Sequence, residues 1–191
     1  MLTHKGTLVL RTDRLLLRPY TEQDGEMMFR NWANDEEVCR YLTWAPHGDI
    51  EVTHNIVRDW AACNINDRCY HWGITLAGEL IGDIAVVRWN EQTQCAAIGY
   101  CLGRAWWGQG IMTEALTAVM TYLFDEIGFH RIQLEHDHEN PASGRVMRKA
   151  GMRLEGRLKH AVKRRDGSFG DKCIYGAIRG QWPARTESED V

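Results

Sequence analysis

The sequence predicts one α+β domain over residues 1–191, on three observations. Mid-chain, three short strand patterns are joined by tight turns, as in an antiparallel meander. Directly after them a glycine-rich bend leads into a helix with an unbroken apolar stripe. The length of 191 residues fits one ordinary domain and is short for two. A chain of that length buries roughly 70% of its unfolded surface, so it needs neither a metal nor a disulfide for stability.

The elements follow in order. Leu8–Leu10 and Arg14–Arg18 read as a broken first strand, with Leu15 and Leu17 on one face. Thr21 is a hydroxyl N-cap with Asp24 three residues on, so a helix starts there and buries Met27, Met28 and Trp32. A loop through Trp44 and Pro46-His47-Gly48 leads to a second helix from Asp49 to about Ala62, with Val52, Ile56, Val57 and Trp60 at helical spacing. His71–Leu76 and Glu79–Trp89 flank the turn Ala77-Gly78 as a hairpin, and Gln94–Leu102 is the third strand. In the next helix Met112, Ala115, Leu116, Val119, Met120, Leu123 and Ile127 recur at spacings of 3, 1, 3, 1, 3 and 4, with Gly128 as the stop. Arg131–His138 is a strand. Asn140-Pro141 opens a shorter helix carrying Ala142, Val146 and Ala150 and closing at Gly151. Two strands, about 152–162 and 171–178, finish the chain around Arg165-Asp166-Gly167-Ser168.

Composition excludes several classes. The chain is 44% hydrophobic and 26% charged with four prolines, which describes a globular protein and not a disordered or fibrous one. Its net charge is −3 and its pI near 6.2, so a general nucleic-acid binder is not expected. The apolar runs are too short to span a membrane and the N-terminus lacks a signal-peptide core, which predicts a cytoplasmic protein. The six cysteines show no CxxC pair or finger spacing and are expected as free thiols.

The glycine bend Gly103–Gly110 carries the chemistry. Strand, glycine turn and helix N-terminus together bind phosphates, because the first helical N–H groups lack partners and the helix dipole favours an anion there. A plain tight turn would read the same way, and two better-known cradles do not fit. Gly103 and Gly108 have P-loop separation, but Gln109 and Gly110 replace its Lys and Ser or Thr, which excludes nucleotide hydrolysis of that kind. A dinucleotide fingerprint needs glycine at Thr113 and the first strand of a βαβ unit, and neither is present.

The stretch IGYCLGRAWWGQGIMTEAL, followed by FDEIGFHRIQLEHDHENPASGRVMRKAGMRLEG, resembles the GCN5-related N-acetyltransferase (GNAT) superfamily. The opening LRTDRLLLRPYTEQD and the closing DKCIYGAI resemble its RimJ/RimL-like branch, which acetylates protein N-terminal and other primary amines. The resemblance covers about residues 8 to 182 and implies a GNAT fold, a central mixed, mostly antiparallel twisted sheet between helices in three layers. It implies acetyl-CoA as donor, with the diphosphate on the amides of Gly108, Gln109, Gly110, Ile111, Met112 and Thr113 and with Trp107 beside them. Pantetheine is then expected to pair like a strand with Tyr100–Gly103, at Cys101 and Leu102, where two strands splay. Gly99 marks a bulge or close approach. Asn140 and Ser143 match the family's Asn-x-x-Ser, which faces the pantetheine arm and the sulfur. Three positions depart from the pattern: Ala105 for Arg or Gln, Gln109 for a frequent Lys or Arg, and Ala97 where the branch often has a Glu that serves as general base.

Such a reaction must take a proton from an ammonium and hold the amine within about 3–3.5 Å of a thioester carbonyl. N–H groups at Cys101 or Leu102 are candidates to steady the oxyanion, and Ser143 to give the departing sulfur a proton, in direct transfer without an acyl-enzyme. Candidate bases are Glu135, His136, Asp137 and His138, which strand alternation divides between two faces. His136 reads equally as a hydrogen-bonded core histidine, and Glu135 and Asp137 as solvated or ion-paired. Glu114 reads as structural. An acyl-Cys101 is a weaker alternative, and two same-face imidazoles, His136 and His138, do not make a metal site, so no metal is expected. Among eight tryptophans, Trp44, Trp106 and Trp107 are placed to wall an acceptor cleft, with Trp32 and Trp60 as core. Arg157, Lys159, Lys163, Arg164 and Arg165 form the one basic cluster, either a guide for an acidic acceptor or a solvated hairpin.

The expected function is therefore acetyl transfer from acetyl-CoA to a primary amine, either a protein N-terminal α-amine of ribosomal type or a small-molecule amine. A non-catalytic acetyl-CoA-binding regulatory protein is the alternative that Ala97 permits, and an RNA-associated assembly factor a weaker third. A homodimer is ordinary for the family.

Overall fold

In a computed structural model, residues 1–182 are described, and residues 183–191 of the expected domain lie outside the described residues. Eight strands form one open sheet: β1 (Leu10–Arg11), β2 (Leu15–Arg18), β3 (His71–Leu76), β4 (Glu79–Asn90), β5 (Cys95–Leu102), β6 (Arg131–Asp137), β7 (Arg153–Lys163) and β8 (Phe169–Ile178), in the order β1-β2-β3-β4-β5-β6-β8-β7. Every neighbouring pair is antiparallel except β5 and β6. The helices are α1 (Gly25–Met28), α2 (Glu36–Cys39), α3 (Ile50–Cys63), α4 (Ile111–Tyr122) and α5 (Pro141–Lys149). Among the described residues, no helix is long and apolar enough to cross a membrane.

Each face of the sheet has its own core, which gives the expected three layers. The whole predicted stripe of α4 is buried, with Ile132 and Leu134 of β6 in the same cluster. On the other face, Tyr20, Met28, Trp32, Val57, Leu80 and Cys101 pack together beneath α1–α3.

Local chemistry fixes the helix starts. Thr21 and Asp24 form a reciprocal capping box, and Arg18 clamps the buried Asp24 carboxylate at 2.8 and 2.6 Å. Asp49 accepts the Glu51 N–H at the start of α3, and Asn140 accepts the Ser143 N–H at the start of α5. No side chain caps α4: its N-cap is Gly110, at φ 76° in the left-handed region that favours glycine.

Several expectations need correction. The first helix is broken into a 3₁₀ turn, α1 and a π-turn at Phe29–Ala33, and α4 likewise runs into a π-turn at Leu123–Ile127. α3 buries Thr53 and Val57, while Val52 is exposed, one position off the face that meets the sheet. In α5, Gly144 and Met147 are buried and Ala142 is exposed. Cys63 and Cys69 are joined as a disulfide between the end of α3 and the start of β3, with Cα atoms 6.1 Å apart, so only Cys39, Cys95, Cys101 and Cys173 are free. The bulge expected in β5 lies instead in β4: Val86 faces Ile98 and Arg88 faces Ala97, leaving Val87 as the extra residue. Gly99 admits that residue, since a Cβ there would lie 3.0 Å from Val87 Cγ1.

Candidate functional site

Two strands that begin as partners and then separate create the site. β5 and β6 pair in parallel only at Cys95–Arg131, Ala96–Ile132 and Ala97–Gln133. Both continue, but Ile98–Leu102 has lost its neighbour on that side. β4 still holds the other side, and the alternation of that ladder decides which groups point into the gap. The Gly103 N–H donates to the Ile81 carbonyl at 2.8 Å, so Gly82 and Leu102 are a non-hydrogen-bonded pair and the Cys101 N–H belongs to Asp83. The N–H groups of Tyr100 and Leu102 therefore face the gap. Of the two candidate oxyanion donors, Leu102 has the right orientation and Cys101 does not.

The gap opens onto the glycine turn. Gly108 and Gly110 both have positive φ, 75° and 76°, and space around Gly108 is open for 4 Å beyond an ideal Cβ. Without a side-chain cap, the N–H groups of Ile111, Met112 and Thr113 present the positive end of a 12-residue helix. These residues fit a diphosphate-bearing ligand: glycines without side chains, exposed amides and an adjoining strand edge. Trp107 is 46% exposed at the mouth of the gap and its indole N–H donates to the Leu102 carbonyl at 2.7 Å, fixing the corner. Gln109 folds back to donate to the Ala105 carbonyl at 3.0 Å.

Beneath the turn lies a brace that sequence reasoning left unassigned. Arg14 donates to the Gln109 carbonyl at 3.0 Å and pairs with Glu114 at 2.7 Å, and the Thr12 hydroxyl donates to the same carboxylate. Burial pushes the Glu114 carboxyl up, but Thr12 and Arg14 together hold it below its usual value. Glu114 is structural, as expected, and the only hint of its partner was Arg14 in the opening motif.

Across the gap, α5 brings Ser143 to Tyr100. Their hydroxyl oxygens are 2.9 Å apart, and the Tyr100 hydroxyl also reaches the Ser143 carbonyl at 3.2 Å. Burial raises the Tyr100 phenol above its ordinary value, so it stays protonated. Tyr100 was missed as a site residue because its side chain faces α5 from a strand named only for its backbone.

His136 lies on the same face. Its Nδ1–H donates to the Asp137 carbonyl at 2.7 Å, which leaves Nε2 as an acceptor beside Gly144, where a Cβ would sit 2.7 Å away. Burial holds this imidazole below its usual value and keeps it neutral near pH 7. Glu135 points to the opposite face and is paired with Lys172 at 2.7 Å. The structure thus joins Ser143 to Tyr100, places His136 beside the next residue of α5, Gly144, and sets Glu135 on the other face of the sheet.

Trp44 packs on the second core beside His47, and the β7–β8 hairpin meets α2 through Arg165 and Glu36. That hairpin's cations are largely neutralised: Arg157 and Lys159 by Asp171, Arg164 by Asp137 and Glu139, and Arg165 by Glu36 of α2.

Comparison with known proteins agrees with this geometry. The acetyltransferase (GNAT) domain matches residues 14–153. The N-acetyltransferase YoaA of Bacillus subtilis is 32% identical over 173 residues, 90% of this chain and 97% of that protein. The ribosomal protein uS5-alanine N-acetyltransferase of Escherichia coli is 32% identical over 185 residues, 91% of this chain and 92% of its own. Among solved structures, RimL, a ribosomal L7/L12 alpha-N-protein acetyltransferase in complex with coenzyme A, superposes with a TM-score of 0.80 over 90% of this chain and 98% of that one, at 24% identity.

Proposed function

Since this chain belongs to the GNAT acetyltransferase family and is an N-acetyltransferase of it, we propose that it uses acetyl-CoA to acetylate a protein N-terminal α-amine of ribosomal type, with small-molecule amines as the other acceptor class. The opening of β5 from β6 immediately before an uncapped, glycine-led helix carries this reading. The relative that acts on ribosomal protein uS5 supports the protein acceptor.

In this reading the amides from Gly108 to Thr113 hold the donor's diphosphate, and Asn140 flanks the pantetheine arm. The donor supplies an acetyl thioester. The Leu102 N–H is placed to bind its carbonyl oxygen, and Ser143, backed by Tyr100, donates a proton to the departing sulfur. His136 accepts through Nε2 on this donor-side face and orders water or Ser143 there. This reading needs no metal and no nucleic acid, and its setting is the cytoplasm.

The test is thiol release from acetyl-CoA with a panel of peptides bearing free α-amines, including one that starts with alanine, beside small amines and RNA. Turnover on a peptide supports the reading, whereas turnover only on small amines removes the protein acceptor. Coenzyme A binding with no turnover on any amine would overturn it.

A further inference from the structure

Resting on that reading, the open question is where the ammonium proton goes, since Ala97 supplies no carboxylate. The side chains of Ala97, Gly99 and Cys101 share the face of β5 turned away from α5, toward α1–α3. His136 is on the other face, and Lys172 already holds Glu135. Directly opposite Cys101 stands Asp83, and its carboxylate accepts from His71 Nε2–H at 2.9 Å. Both side chains are mostly covered, at 15% and 13% exposure. Ala85 and Gly99 face each other on the next rung with Ala97 beyond, so the floor beside Asp83 carries little bulk.

A second observation marks the spot as polar and unfilled. The Tyr20 hydroxyl is buried and has no hydrogen-bond partner among the described residues. Its ring lies 5.1 Å from that of His71, and the charge of Asp83 reaches it. Buried hydroxyls almost always have partners, so an orphan here points to a missing water or ligand group.

We propose that the His71–Asp83 pair accepts the proton of the incoming ammonium through a water held with the Tyr20 hydroxyl, on the acceptor face of the sheet. β5 stands between, so the nitrogen lies about two strand separations, roughly 10 Å, from β4, and the water beside Tyr20 is the first of a short chain that spans it. The nitrogen sheds its first proton to the pair and attacks. As the N–C bond forms the C–S bond breaks, Ser143 protonates the sulfur, and the second nitrogen proton replaces the one Ser143 gave. Around Tyr20 and the pair stand Arg18, the last residue of β2, its partner Asp24, and Cys101 from β5. From α3, the uncharged Trp60 packs 4.1 Å from the His71 ring.

The test is kcat/KM for the best acceptor of the panel against pH, for the wild type, Asp83→Asn, His71→Gln and Glu135→Gln. Coenzyme A affinity and Tm are measured on each to confirm folding. Asp83→Asn is expected to lower kcat/KM about 100-fold near pH 7 and to approach the wild type at high pH, where the amine is already neutral. His71→Gln should fall in between, with the coenzyme A affinity unchanged, and a pH-dependent loss in Glu135→Gln in place of these two would overturn the pair. Folded Asp83→Asn and His71→Gln variants with the wild-type pH profile would overturn the pair alone. A wild type without turnover on any amine would overturn the acetyltransfer reading beneath it.

Discussion

Ser143 shows how little of a site a single residue needs to supply. Its hydroxyl is held at 2.9 Å from Tyr100 by the first turn of α5, which Asn140 caps. Ser143→Ala is expected to lower kcat by about 10- to 100-fold while leaving the KM for acetyl-CoA within about threefold, because in the proposed mechanism the hydroxyl acts on the leaving sulfur and not on the diphosphate. Steady-state kinetics check this, and a rise in KM with kcat preserved would assign Ser143 to binding alone. Tyr100→Phe should produce a smaller fall in the same direction. Ser143 and Asn140 were legible because a motif names them. Tyr100 was not, since its contact depends on how far β5 and β6 diverge, and residue spacing carries no information about that angle.

At the scale of elements, the sequence was most informative where one interaction dominates. The stripe of α4 encodes one buried face and the tight turns mark the ends of β3–β5, and these elements appear with nearly the expected bounds. It was least informative where two elements compete. The position of the bulge depends on whether β4 or β5 absorbs an extra residue, and the small residues Gly99 and Ala97 accept it from β4. The same holds for α3, whose buried face is chosen by the α1 segment packed against it and not by its own apolar count. The turn before α4 yields a further prediction. Gly110→Ala places a side chain at φ 76°, at a cost of about 1–2 kcal/mol, and displaces the uncapped amides. Titration should then show coenzyme A bound at least tenfold more weakly with only a modest fall in Tm. Unchanged affinity would mean that the turn does not form the anion site.

The whole molecule is held by two cores and by buried carboxylates that tie its edges to them. Asp24, 1% exposed, is paired with Arg18, and Asp137, whose side chain is 2% exposed, with Arg164. Burial pushes the Asp24 carboxyl up, but Arg18 and Thr21 outweigh it; the Arg164 guanidinium lowers Asp137 first of all. Both carboxyls are therefore lower in the folded chain than in the unfolded one. Their stabilisation is complete above the unfolded value of about 3.9 and is lost as pH falls below it. Urea unfolding should show a plateau above about pH 6.5, a small step below it as the half-buried His136 takes up a proton, and a decline below about pH 4. Asp24→Asn should lower the plateau by about 3 kcal/mol, because it strands Arg18, and should make the decline shallower. An equally steep decline in the variant would remove Asp24 from the acid response.

The central claim is that the donor's diphosphate rests on the free amides that begin α4, with the rest of it lying along the open edge of β5. Amide chemical shifts recorded during a coenzyme A titration test it most directly. The N–H signals of Gly108, Gly110, Ile111, Met112 and Thr113 should move most, with Tyr100 and Leu102 following. If those seven signals stay fixed while others move at saturating coenzyme A, the donor site lies elsewhere and the account fails.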